Sequence, residues 1–275
     1  MEVFAKELKF KEKLRLIPFS DLHLGSRAAT ETKFKRLVDW ILSKPDTYAI
    51  GLGDYCDAVL RQDMKRFSGK CTKDELLDLL DSAINEQRNL VIKYLKPLAD
   101  NGRLLGLCEG NHEESLKKHH SFDMLKDVCH ALNVPYLGFS FFYRLTLSKI
   151  EKKPTKRSLV IYGHHGFGSS RKPGASLNRK VDMISSYDAD IILMGHDHHK
   201  FGSRMIKLGI TPYGIPRIVH KPVIVAATGS FLKSVVQGDT TYSEKYGYRP
   251  NDIGVVRIDI RMSGRFHDFD IHCSE

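Results

Sequence analysis

Five times along this chain a short apolar run stops at a polar segment built from Asp, Asn, His and Gly. The runs are residues 14–19, 48–52, 103–108, 158–162 and 191–194. They lead into Asp21-Leu22-His23, Gly53-Asp54-Tyr55-Cys56-Asp57, Gly110-Asn111-His112-Glu113, Gly163-His164-His165-Gly166 and Gly195-His196-Asp197-His198. Short apolar runs bounded by glycine read as buried strands. In α/β folds, ligands bind in the crevice outside the carboxyl ends of the strands. Chemically active residues at five strand ends therefore commit the chain to sheets whose ends converge on one place.

The remaining pattern supplies the layers. Helical spacing runs over 32–43, where Phe34, Leu37, Val38, Ile41 and Leu42 share a face and Pro45 follows, and again over 73–99, 122–132 and 182–187. Residues 3–10 alternate as an edge strand, and 141–148, 223–228, 253–260 and 266–271 read as further strands. The first two-thirds alternates β and α; the last third is mostly β with no clear helix. The expectation is an α/β fold of two packed sheets with helices outside. No linker or repeat interrupts it, so residues 1–275 are read as one domain, with about 58–100 as the candidate for a helical insertion. The aromatics Phe139, Phe141, Phe142 and Tyr143 are assigned to strand core.

Composition excludes several classes. No apolar run is long enough to span a bilayer, and the charged N-terminus has no signal-like apolar stretch. The five cysteines form no CxxC pair, which fits reduced thiols in a cytoplasm-like compartment. The net charge of +10 favours polyanionic partners. No membrane partner is expected.

Carboxylate, imidazole and amide oxygen suit divalent ions such as Mn²⁺, Fe²⁺, Co²⁺ or Zn²⁺, and no thiolate sits in any motif. In Asp-x-His and His-x-His, side chains two residues apart point the same way on extended backbone, so both reach one cluster. Asp54 is the natural carboxylate to bridge two ions.

The order Asp-x-His, Gly-Asp-x-x-Asp, Gly-Asn-His-Glu, His, Gly-His-x-His resembles the calcineurin-like metallophosphoesterase family over residues 14–230. The resemblance implies a metallophosphoesterase-type double β-sandwich flanked by helices, in four αββα layers. It implies that Asp21, His23, Asp54 and His198 hold one metal and that Asp54, Asn111, His164 and His196 hold the second. Either His164 or His165 can serve the fourth motif; His164 is taken, being nearer the strand end. His112 would contact the substrate phosphate or protonate the leaving oxygen, and Asp57 and Glu113 would orient ligands. Ala227-Thr228-Gly229-Ser230 resembles the family's glycine-serine turn. The implied cofactors are two divalent ions, Mn²⁺ first, with Fe, Zn, Co or Ni as alternatives; they would activate a bridging water for in-line attack on phosphorus.

For the substrate, the charge and the opening Asp-Leu-His-Leu-Gly, which resembles the repair-type nuclease branch, favour a phosphodiesterase on nucleic acid (DNA or RNA) or nucleotides. The chain departs from that branch in being shorter. The basic segment 166–178, read as a mobile loop carrying Arg171, and Arg27 are the candidate phosphate contacts. A phosphomonoesterase on nucleotides or phosphoproteins is the alternative, and a non-catalytic scaffold of the same fold the second.

Overall fold

The structure is a computed structural model that describes residues 1–57, 73–120, 123–151, 155–168, 173–211, 214–238, 240–245, 247–263 and 266–274. In chain order its elements are β1 (Glu2–Phe10), β2 (Leu14–Phe19), α1 (Glu31–Ser43), β3 (Thr47–Gly51), α2 (Lys73–Asp100), β4 (Leu104–Leu107), α3 (Asn111–His120), α4 (Met124–Leu132), β5 (Ser140–Lys149), β6 (Lys156–His164), α5 (Pro173–Ser186), β7 (Ile191–Met194), β8 (Lys200–Ile210), β9 (Ile218–Thr228), α6 (Tyr242–Lys245), β10 (Val255–Ser263) and β11 (Phe266–Ser274). They form a six-stranded sheet in the order β1-β5-β6-β7-β9-β8 and a five-stranded sheet in the order β11-β10-β2-β3-β4.

Strand periodicity explains why there are four layers. Leu14 and Leu16 of β2, Ile191 and Leu193 of β7, and Ile224 and Ala226 of β9 belong to one cluster between the sheets. Their alternate neighbours face outward. Ile17 and Phe19 meet Phe34, Val38 and Ile41 of α1, Val91 and Leu95 of α2, and Leu125 and Val128 of α4. Ile192, Met194, Val223 and Val225 meet Met183 and Ile184 of α5. Strands apolar on both faces need cover on both, which is why their sequences run continuously hydrophobic instead of alternating. Each fully buried Leu or Ile contributes about 1.5–3 kcal/mol relative to exposure. Asp123 caps α4, its carboxylate accepting from the Lys126 amide at 3.2 Å, and Asn133 ends the helix in the left-handed region with φ 50.

The parallel pairing of β2, β3 and β4 sets their carboxyl ends side by side, and the parallel β6-β7-β9 set does the same in the other sheet. Those two rows of strand ends carry the motifs. β1 lies at a sheet edge, as its alternation predicts.

Several expectations need correction. The segment 166–178 is not a loop throughout: α5 begins at Pro173, where a proline without an N–H costs the helix nothing. Arg171 lies outside the described residues, as does the stretch 58–72 of the anticipated insertion. The last third does contain a short helix, α6, and the long strand β8.

β6 pairs with β5 so that Gly163 lies opposite Phe141. A Cβ there would stand 2.2 Å from the Phe141 ring, which is buried in the intersheet core. Gly163→Ala is therefore expected to lower stability by about 1–3 kcal/mol through overpacking. A urea midpoint unchanged from wild type would show that the ring yields freely.

Candidate metal centre

The residues that cluster sit on strained backbone. Asp21, His23, Asp54, His196 and His198 all have φ between 46 and 72, in the left-handed region that side-chain-bearing residues avoid. Such conformations cost on the order of 1–3 kcal/mol each and persist where surrounding bonds over-determine them. Here the bonds are visible. The amides of Asp21, Leu22 and His23 donate to the carbonyls of Gly53 and Asp54, and the Phe231 amide donates to the Asp21 carbonyl. Glu113, fully enclosed, accepts from the amides of Asp54 at 3.0 Å, Tyr55 at 2.7 Å and Gly110 at 3.0 Å. It thereby ties the second and third motifs together. Burial, reinforced by the neighbouring Asp54 carboxylate, lifts the Glu113 pKa to about 7.

Within this frame the side chains converge. Asp21 Oδ2 accepts from the His196 amide at 3.0 Å, and its Oδ1 lies 3.2 Å from His198 Nε2. Asp54 Oδ1 accepts from the His112 amide at 3.1 Å, and its Oδ2 lies 3.3 Å from His165 Nε2 and 4.0 Å from His112 Nε2. Asn111 Oδ1 is 2.9 Å from His165 Nε2 and 2.8 Å from His196 Nδ1. The rings of His23 and His112 meet edge to face at 4.8 Å, and those of His23 and His198 at 5.3 Å.

Among the described residues, three sets have ligand atoms within 4.8 Å of one another: Asp21, His23 and His198; Asp54, His165 and His196; and His23, Asp54 and His112. Asp21 Oδ1 and both ring nitrogens of His23 are buried without a well-aligned hydrogen bond: Asp21 Oδ1 faces only His198 Nε2, His23 Nδ1 faces only the Asp57 carboxylate, and His23 Nε2 faces no partner among the described residues. Buried polar atoms so weakly engaged cost free energy that a cation would recover. The donor set is all oxygen and nitrogen, and Asp54 stands in two of the three sets. The residues present fit divalent ions.

Electrostatics point the same way. Burial alone would push the His165 imidazole to its neutral form, but the Asp54 and Asp21 carboxylates outweigh it and raise its pKa to about 10. His198 is raised for the same reason, with Asp21 as its partner overcoming burial. His165 in turn helps hold Asp54 well below the usual carboxylate range against the cost of burial. The pocket attracts positive charge.

His165, not His164, turns into this cluster. On β6 the residues Tyr162 and His164 share a face, and Tyr162 packs on the outer side with α5. Strand alternation therefore carries the His164 ring outward, 5.7 Å from the rings of Phe139 and of Phe167, where its Nδ1 accepts from the Gly166 amide at 2.8 Å. Burial and the nearby His165 lower the His164 pKa to about 4. The turn after the strand then points His165 at Asp54. Nearness to the strand end is the wrong guide; parity on the strand is the right one.

The other anticipated residues fall into place or stand apart. Asp21, His23, Asp54, Asn111, His196 and His198 are brought together with His112. Asp57 accepts from the His112 ring through its backbone carbonyl, and its carboxylate lies 3.3 Å from His23 Nδ1. Arg27 is exposed in the turn before α1 and has no ion pair among the described residues. Phe139 is only partly buried and stands beside His164 and His165, so it belongs to the site and not to strand core; Phe141 and Tyr143 are core. Sequence reasoning noted the turn with Thr228 and Ser230 but gave no role to three supports. Ser20 bonds the Asp21 carboxylate and Thr228 at once. The Ser230 hydroxyl donates to the Asp21 carbonyl at 3.1 Å. Lys180, 1% exposed, reaches Asp197 at 2.5 Å and anchors the last motif to α5. A lysine between Arg179 and Val181 in a Gly-rich segment carries no sequence signal for burial.

A family model described as calcineurin-like phosphoesterase matches residues 14–200. No curated protein matches the sequence. Among solved structures, the chain is similar to the calcineurin-like phosphoesterase YfkN of Bacillus subtilis, with 10% identity, 96% of this chain and 91% of that one covered, and a TM-score of 0.42. It is similar to the NAD nucleotidase NadN of Haemophilus influenzae, with 10% identity, 95% of this chain and 50% of that one covered, and a TM-score of 0.44. It is also similar to the nuclease MPE of Pseudomonas putida, with 15% identity, 78% and 73% covered, and a TM-score of 0.32.

Proposed function

Because the chain belongs to the calcineurin-like phosphoesterase family, we propose that it is a two-metal phosphodiesterase acting on nucleic acid or nucleotides. The observation that carries this reading is the convergence of Asp21, His23 and His198 in one set and of Asp54, His165 and His196 in another, with Asp54 also close to His23. Asp21, His23, Asp54 and His198 would hold one divalent ion, Mn²⁺ in our reading. Asp54, Asn111, His165 and His196 would hold the other. Bound there, such ions polarise a phosphoryl oxygen and lower the pKa of a water molecule.

The chain's own residues do the rest. Glu113 fixes the loop that presents Asp54, Asn111 and His112 through three amide hydrogen bonds. His112 Nδ1 lies 3.0 Å from the Asp57 carbonyl oxygen, which can only accept, so Nδ1 carries the proton and Nε2 faces the cluster. The His112 side chain is 30% exposed, the right position for a group that meets substrate at the rim. There it would protonate the departing alkoxide. The net charge of +10 supports a substrate with more than one phosphate. No helix among the described residues is long and apolar enough to cross a membrane.

Two measurements test this. Mn²⁺-loaded protein is expected to hydrolyse a chromogenic phosphodiester faster than the matching monoester, and its affinity for single-stranded DNA should fall steeply with salt. Monoester preference with little salt response would replace the reading by a phosphomonoesterase; two bound metals without hydrolysis of either would favour a scaffold. For the ligand set, His165→Ala should weaken metal binding by at least ~100-fold, more than loss of a merely supporting group. His164→Ala should keep both metals by elemental analysis, and the reverse result would reassign the fourth motif.

A further inference from the structure

On the outer side of the five-stranded sheet lies a groove of ≈ 500 Å³, away from the clustered Asp, Asn and His residues, none of which lines it. That volume suits a small-molecule site. One wall is a stripe of α1: Lys33, Arg36, Leu37 and Trp40, at the i, i+3, i+4, i+7 spacing of one helical face. This stripe is adjacent to the one that α1 buries in the core, Phe34, Val38 and Ile41. The floor is Ile17 of β2 with Val255 and Arg257 of β10, and Phe231 closes one end.

The lining is chemically divided. Ile17, Leu37, Trp40, Phe231 and Val255 are apolar, Lys33, Arg36 and Arg257 are cationic, and no carboxylate is among the described residues that line the groove. The Arg257 guanidinium stands 5.8 Å from the centre of the Trp40 ring, and its Nε lies 3.0 Å from Asp259 on the neighbouring stretch of strand. Lys33 and Arg36 are exposed and have no ion pair among the described residues. An aromatic wall beside two cations without an ion pair and a third, Arg257, held by Asp259 fits a ligand with a flat apolar part and a negative part.

We propose that this groove binds a nucleotide, with its base stacked on Trp40 and its phosphate held by Lys33, Arg36 and Arg257. Stacking on an indole accepts any base, and guanidinium groups match phosphate oxygens with paired hydrogen bonds. An apolar ligand would leave the three cations unused, and a simple anion would leave the aromatic wall unused. The groove is lined by residues other than those of the Asp, Asn and His cluster, so the two can be tested separately.

Trp40 is the only tryptophan in the chain, so its fluorescence reports on the groove directly. AMP titrated into the protein in EDTA, where no hydrolysis occurs, is expected to change Trp40 emission saturably in the sub-millimolar range. R36Q and K33Q, at exposed positions that do not threaten folding, should each weaken AMP by about tenfold, the worth of a charged hydrogen bond. R36Q should keep wild-type hydrolysis of the chromogenic ester, and D54N should keep wild-type AMP binding. Adenosine and inorganic phosphate should each bind at least about tenfold more weakly than AMP, because each lacks half of the recognition. Unchanged Trp40 emission at millimolar AMP would overturn the proposal. So would inorganic phosphate binding as tightly as AMP, binding of an oligonucleotide without binding of AMP, or loss of the signal in D54N but not in R36Q.

Discussion

Asp54→Asn is expected to lose at least about a thousandfold in kcat/KM, because it removes a carboxylate from both proposed metal sites at once and even a supporting group costs ~10–100-fold. The substitution is a clean one. Asn matches Asp in shape and tolerates the left-handed φ of 55 that this position adopts. Its amide oxygen can still accept from the His112 amide, which in the wild type donates to Asp54 Oδ1 at 3.1 Å. What disappears is the charge facing His165 at 3.3 Å and the other donors of both sets. A second readout separates metal loss from damage to the fold. At a Mn²⁺ concentration one hundred times the Kd, the wild-type protein should gain about 2.7 kcal/mol for each bound ion, a rise in Tm of roughly 5–10 °C per ion. The variant should melt near the wild type in EDTA and gain little from Mn²⁺. An equal rise in both proteins would remove Asp54 from the centre of the site and with it the two-metal reading.

The clustering of these residues was legible because their types and their scaffold speak the same language. Apolar runs such as Ile191–Met194 can be placed from sequence because they are buried on both faces, and the Gly-Asp, Gly-Asn and Gly-His pairs after them mark where each run must turn. The double sandwich follows from the same runs. Other parts carried weaker signals. β8 reads poorly because its outer residues Ile206, Leu208 and Ile210 are exposed while Gly202 and Gly209 interrupt it. α3 begins inside the third motif with Asn-His-Glu-Glu, and buries little apolar surface beyond Leu116, so it shows no stripe. α5 starts within a Gly-Ser-Pro segment that looks like loop, yet it buries Lys180 to fix the last motif. The choice between His164 and His165 has the same origin. His164 and His165 are identical in type, and only the parity of β6 against α5 tells which ring faces Asp54. Chemistry was readable one residue at a time; orientation required the neighbouring layer.

His112→Ala is expected to keep both metals and to lose about 10²–10⁴-fold in kcat, the range for removing a positioned general acid. Metal content is informative here because His112 sits at a boundary. Its ring nitrogen lies close enough to His23 and Asp54 to complete a third set that could hold a metal. Yet its other nitrogen is committed to the Asp57 carbonyl at 3.0 Å, and its side chain is more exposed than those of His23, His165 or Asp54. The Asp54 carboxylate outweighs burial and raises the His112 pKa, so the ring is kept ready to donate. A donor of this kind matters in proportion to how poorly the leaving group departs unaided. A nitrophenolate leaves readily without a proton, whereas the alkoxide of a sugar does not. The loss in His112→Ala should therefore be largest for a natural dinucleotide and shrink for a nitrophenyl diester. An equal loss on both substrates would make His112 a phosphate contact and not an acid, and a lost metal by elemental analysis would make it a ligand. The substrate series distinguishes these roles because proton donation, unlike charge attraction, depends on the basicity of the oxygen that leaves.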